Sequence, residues 1–164
     1  MATRTINLYP SSDINVAHSK SSGNSGFSLI NDTTDDNGST SIYQSLSADS
    51  ATQTSTFNCS ANTSDNPPAG KIKVKSVSIE TYWRINANQY VSSVTGKLTA
   101  GVSFGDSSQY TNGNSTTSTT SSSNYTKKTD AISGLSIIDT TFNSINDLNA
   151  KLRLRTTGKY VSSN

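Results

Sequence analysis

Strict alternation of apolar and polar residues around the single tryptophan is what most restricts this chain. Val77, Ile79, Thr81, Trp83 and Ile85 fall on one face, with Ser78, Glu80 and Tyr82 on the other. A period of two over this length predicts a β-strand buried on one side. Upstream, Ile72 and Val74 also alternate with Lys71, Lys73 and Lys75, but the phase changes across Lys75-Ser76, which predicts a bulge or break there. Leu98, Ala100, Val102 and Phe104 repeat the pattern against Lys97, Thr99, Gly101 and Ser103. Between the two patterns, Asn86, Asn88 and Gln89 suit a hairpin connection.

Shorter segments continue in the same style. Strands are expected at 5–9, 27–30, 39–46, 52–60, 125–129, 131–138 and 152–156, separated by Ser/Asn/Gly/Asp clusters. Asn37-Gly38 and Asn112-Gly113 are turn dipeptides, and Pro67-Pro68 is a stiff connector. Asp139-Thr140-Thr141 could cap a helix carrying Phe142, Ile145 and Leu148. The expectation is an all-β, antiparallel, jelly-roll-like β-sandwich over 1–164, a single domain with one short helix near residues 140–150. The stretch 107–124 is rich in Ser and Thr, with Tyr110 as its only apolar residue, and is expected to be a flexible surface loop.

Composition narrows the function. Ser, Thr and Asn fill 72 of 164 positions, and only 15% of residues are charged. The net charge of +2 does not point to nucleic acid. No apolar run is long enough to span a membrane, and the N-terminal residues carry no secretory pattern. A lone cysteine, Cys59, and a lone histidine, His18, exclude an intrachain disulfide framework and a Cys- or His-rich metal centre. Sequons such as those at Asn58 and Asn62 follow from composition.

Candidate chemistry is sparse. Asp32, Asp35 and Asp36 cluster before Gly38 and could hold calcium, although the spacing is not that of an EF-hand and a polar turn explains it. His18 could serve as a base only beside a nucleophile and an orienting acid; with 55 Ser and Thr residues in the chain, a nearby hydroxyl carries no information. Cys59 reads as a small packed residue and Glu80 as a solvent-facing carboxylate without a partner acid. Tyr82, Tyr90 and Tyr110 are candidates for glycan or protein contact, whereas Trp83 shares the apolar phase and reads as core. Lys151, Arg153, Arg155 and Lys159 form the densest positive stretch, read as a charged edge strand or as contact with an acidic partner. No catalytic, cofactor or metal residue is assigned.

Low charge, many hydroxyls and short strands, without an export signal, suit a protein made in a host cytoplasm and used in a virion. Several blocks carry a resemblance. Tyr9-Pro10-Ser11-Ser12, His18-Ser19, the 28–32 segment and the 35–44 segment, followed by the 71–77 strand and by Asp147-Leu148-Asn149 leading into Lys151-Leu152-Arg153-Leu154-Arg155, resemble a family of tailed-phage and prophage structural proteins. The resemblance implies a jelly-roll-like sandwich in a head-decoration, head-fibre, neck or tail-associated protein, with no catalytic residues. It implies docking on capsid, neck or tail proteins and assembly with further copies. Such proteins continue past the LRLR strand into an aromatic-rich strand, so either the sequence is truncated or a sheet edge is left open here. The alternative is a carbohydrate-binding module or adhesin recognising surface glycans.

Overall fold

The inward residues of one long strand, Ser55, Phe57 and Cys59, set the architecture. They belong to β4 (Ser50–Ala61), where Phe57 and Ser55 are both fully buried. A computed structural model describes residues 5–30, 41–46, 50–61, 70–74, 76–87, 91–105, 107–133, 139–142 and 144–162. In chain order the remaining strands are β1 (Leu8–Val16), β2 (Ser19–Lys20), β3 (Ile42–Tyr43), β5 (Gly70–Lys73), β6 (Val77–Trp83), β7 (Val91–Ser103), β8 (Thr111–Asn112), β9 (Thr116–Ser118), β10 (Thr126–Ile132), β11 (Asp139–Phe142) and β12 (Lys151–Ser162). All described pairings are antiparallel.

The main sheet has six strands in the order β1-β4-β12-β7-β8, with β9 also on β7. Cross-strand partners share a face. Leu154 therefore lies level with Ser55 and Ala100, and Leu152 with Phe57 and Val102. This is the apolar face, with Leu98 and Ala100 also buried. β6 and β10 form a second, two-stranded sheet, whose Val77, Ile79, Thr81 and Trp83 share a face with Ile132, Asp130, Lys128 and Thr126. Ile85, just beyond β6, reaches to where a side chain on Gly96 would stand, 2.7 Å from its Cβ. Gly158, cross-strand partner of Gly96, leaves the same kind of space for Leu46, at 2.7 Å. Paired glycines thus let the covering segments sit directly on the main sheet, giving an all-β, sandwich-like arrangement. At one end Ala61 and Leu148 form a small core with Ile6, Leu8, Val74 and Phe104 around it.

The alternation around Trp83 holds residue by residue: Val77, Ile79, Thr81, Trp83 and Ile85 are half-buried while Ser78, Glu80 and Tyr82 are exposed. The phase change at Ser76 is a true break, since β5 pairs with β11 and β6 with β10. Other expectations need correction. β6 and β7 do not form a hairpin; the first pairs with β10 and the second with β12, so 84–90 links two sheets. The 27–30 segment is a 3-10 turn, Phe27–Leu29, because Asp13 captures the backbone N–H groups of Gly26 and Phe27 at 2.8 and 2.6 Å. The helix near residues 140–150 is one 3-10 turn, Ile145–Leu148, and Asp139–Phe142 is strand. Its cap is Ser144, whose hydroxyl accepts from the N–H of Asn146 while Asp147 accepts from the N–H of Ser144. Asn149, left-handed with φ 49°, ends the turn and releases the chain into β12. Nor is the LRLR segment an edge: β12 is paired on both sides, by β4 and β7. Within 107–124, Thr111–Asn112 and Thr116–Ser118 pair with β7.

One ion pair lies between the sheets. Lys128 and Asp130 point inward from β10 at 8% and 4% exposure, and the Lys128 ammonium bonds both Asp130 and, at 2.7 Å, the carbonyl of Asn114. Gly113 leaves room for it, since a Cβ there would stand 2.6 Å from that of Asp130. Removing one partner of a buried pair strands the other charge, whereas replacing both with apolar groups does not. Asp130→Ala is expected to lower unfolding free energy by about 3–5 kcal/mol. The double change Lys128→Met with Asp130→Leu is expected to recover most of that loss, both read by urea denaturation.

Candidate functional site

Ser55 has a hydroxyl that must serve three neighbours. Its Oγ accepts from the backbone N–H of Ala17 at 3.1 Å and of His18 at 3.2 Å. Two acceptances occupy both lone pairs, so its one proton points to His18 Nδ1, at 2.7 Å. Nδ1 is then an acceptor, which leaves the imidazole proton on Nε2, facing Thr156 Oγ1 at 2.8 Å. Thr156 in turn donates to Gln44 Oε1 at 2.7 Å. The donors Ser55, His18 and Thr156 act in turn and end on the Gln44 acceptor, which ties the β3 region to the main sheet through a histidine only 5% exposed. A serine beside a histidine looks like a nucleophile and its base. Here Ser55 is fully buried and its hydroxyl is committed, so the pair holds structure together and offers no nucleophile to a substrate.

Burial pushes the His18 pKa below its ordinary 6.5. A protonated ring would need an acceptor at Nδ1, where Ser55 has no lone pair left. Burial also pushes the Cys59 thiol up to about 12, with a backbone bond to Leu152 acting weakly the other way, so it is no reactive thiolate. Glu80 forms an exposed ion pair with Lys127 at 3.0 Å, and that carboxylate raises the lysine pKa. No group of three or more His, Cys, Asp or Glu suited to a metal occurs among the described residues. Asp32, Asp35, Asp36 and Tyr90 lie outside the described residues, as does Pro67-Pro68.

The two remaining candidate tyrosines do not form one platform. Tyr82 is 47% exposed on the outer side of the β6–β10 sheet, level with Lys127. Tyr110 is half-buried beside the main sheet, its ring 4.6 Å from the Arg153 guanidinium, which also donates to Asn112 Oδ1 at 2.7 Å. Trp83 occupies a more informative place than the core position expected of it. It is half-buried and lines a recess of about 250 Å³ at the end of the sandwich, together with Arg84, Ile85 and the hydroxyl-rich segments 116–120 and 122–126. No sequence signal marked this site: Thr116, Thr117 and Ser118 are uniformly polar, and only their pairing with Leu98, Lys97 and Gly96 brings them here.

The outward face of the main sheet is the other extended feature. It carries Thr52, Thr54 and Thr56 from β4, Arg153, Arg155, Thr157 and Lys159 from β12, and Lys97 and Thr99 from β7. Arg155, Lys159 and Lys97 are exposed, and no carboxylate among the described residues pairs with them. No family model, curated protein or solved structure matches the chain. No helix among the described residues is long and apolar enough to cross a membrane.

The lowered His18 pKa fixes a sign. Below pH 6.5 the unfolded chain takes up a proton that the folded chain refuses until lower pH, so the unfolded state holds more protons there. Stability contributed by neutral His18 is complete above that pH and falls as the solution is acidified. The melting temperature is expected to drop between pH 7 and 5, and His18→Gln is expected to flatten that slope; an unchanged slope would remove His18 from the account.

Proposed function

We propose that this chain is a non-catalytic docking module, a structural component of a phage virion that lies against an acidic surface of capsid, neck or tail proteins. The observation that carries this reading is the outward face of the main sheet. Strands spaced about 4.8 Å apart hold side chains at fixed intervals on a broad surface. The threonines there are β-branched and stiff at χ1, so little side-chain freedom is lost when a partner covers them. Three exposed cations without carboxylate partners among the described residues give the face one sign, which selects an acidic counterpart and speeds encounter.

The virion assignment also draws on the sequence blocks of the tailed-phage type, one of which, Lys151–Arg155, supplies two of the arginines on this face. Association of copies follows, in this reading, from docking side by side on a repetitive particle. The β1 edge is ill suited to pairing between chains, because it carries Pro10 and two register irregularities, at Pro10/Ser12 and Asp13/Asn15.

Purified virions analysed by mass spectrometry should contain the chain in multiple copies. Triple charge reversal, Lys97→Glu with Arg155→Glu and Lys159→Glu, should reduce incorporation at least tenfold while leaving the circular dichroism spectrum intact. Incorporation of the folded variant at the wild-type level, or absence of the wild-type chain from particles, would overturn the proposal.

A further inference from the structure

The segment 41–46 lies on the inward side of the main sheet and is held there by few bonds. β3 pairs with β2 at only two positions, Tyr43 with Ser19 and Ile42 with Lys20. Two bonds of 3.0 Å between Ser21 and Ser41 extend that short ladder. The stretches 18–21 and 41–46 therefore form one unit. Among the described residues its polar ties to the main sheet all end on two side chains, Ser55 of β4 and Thr156 of β12. Ser55 Oγ accepts the His18 N–H and gives its own proton to the ring, while Thr156 Oγ1 meets His18 Nε2 and donates to Gln44. Leu46 adds an apolar contact where it rests over Gly158.

This hold is closely balanced. Gln44 Nε2 is buried without a hydrogen-bond partner among the described residues, and so is Oε1 of Gln53, the cross-strand partner of Thr156. Buried polar atoms without partners oppose the closed arrangement, and release would return the Gln44 amide to water. His18 decides the balance. A protonated ring donates from both nitrogens, but Ser55 Oγ already accepts from the N–H groups of Ala17 and His18 and cannot accept a third time. No counter-ion compensates. Arg155 of β12 and Lys97 of β7 alternate to the outward face. β4 offers only Cys59, a neutral thiol, and β12 adds the phenol of Tyr160 on the inward side. Lys20 and Tyr43 are exposed, and the exposed Asp13 of β1 is bonded to the N–H groups of Gly26 and Phe27.

We infer that His18 is the latch of an acid-opened strap: protonation of its ring frees 18–21 and 41–46 from Ser55 and Thr156 while β4, β12 and β7 stay paired. Opening uncovers Gly158 and the inward side of β12 around Thr156, a surface the chain shows only in acid. None of these side chains lies on the outward face, so the latch stands or falls separately from docking through that face.

Hydrogen exchange of the full chain, read peptide by peptide by mass spectrometry and corrected for intrinsic rates, separates strap opening from unfolding. A released ring has the ordinary pKa of 6.5, whereas the latched ring refuses the proton, so the opening equilibrium rises by up to about 25-fold between pH 7 and pH 5. Protection within 17–21 and 41–46 should fall roughly tenfold or more over that range, while 96–103 and 151–158 change less than about twofold. His18→Gln, neutral at both pH values, should abolish the acid loss in the strap. Thr156→Val, which removes both ties to β12, should leave the strap open already at pH 7. Protection at 96–103 confirms that each variant folds; if neither does, the contrast within the unchanged chain decides. Equal strap protection at both pH values, a strap unprotected at pH 7, loss in step with 96–103, undiminished acid loss in folded His18→Gln, or a fully protected strap in folded Thr156→Val would each overturn the inference.

Discussion

Closing a sandwich with few apolar side chains is the constraint on which the rest of this structure depends. Hydrophobic residues make up only 30% of the chain, and Phe57 and Leu29 are the only large ones fully buried among the described residues. The interior therefore admits polar groups, and each must find partners inside. Ser55 meets this with a hydroxyl that accepts twice and donates once. Lys128 and Asp130 meet it by bonding one another, with an Asn114 carbonyl on the ammonium. Glycine does the remaining work of closure, where Gly96 and Gly158 let Ile85 and Leu46 rest on the sheet. Such an interior has narrow tolerance, because a satisfied polar network loses far more from one missing partner than an apolar core loses from a methyl group.

The same economy sets the surface. A sheet with its apolar side turned inward leaves threonine, lysine and arginine on the other, and this side remains open to solvent across β4, β12 and β7. What the sandwich displays is one sheet face of uniform sign among the described residues and one small hydroxylated recess beside Trp83. The histidine that would draw attention in a search for catalysis instead works as a fastener, its tautomer dictated by a serine that has no lone pair to spare.

Local period was legible and partnership was not. The alternation in 77–85 and 96–104 gave the correct inward residues, since side-chain direction in a strand depends only on neighbours along the chain. Which strand pairs with which depends on contacts far apart in sequence, so Asn86, Asn88 and Gln89 suggested a hairpin between strands that lie in different sheets. The 27–30 segment looked extended by its apolar residues, but Asp13, thirteen and fourteen positions away, captures its amides and turns it. The capping box is present as Ser144 and Asp147, but the cap was read three to five residues too early, at 139–141. Trp83 was legible as inward-facing; that its neighbourhood is an open end of the sandwich, lined by a Ser/Thr stretch that looked like idle loop, required the β7–β9 pairing.

The position of β12 has a consequence for how the molecule is made. This strand bridges β4 and β7 across the middle of the main sheet, although it is the last element described in the chain. Until it emerges from the ribosome the two halves of the sheet have nothing to join them, and the backbone edges of β4 and β7 that it pairs stay open. Completion of the main sheet must then await synthesis of β12, by slow, long-range zippering between strands already made. During that interval a chain this poor in charge depends on its abundant hydroxyls, rather than on repulsion between molecules, to stay apart from its copies.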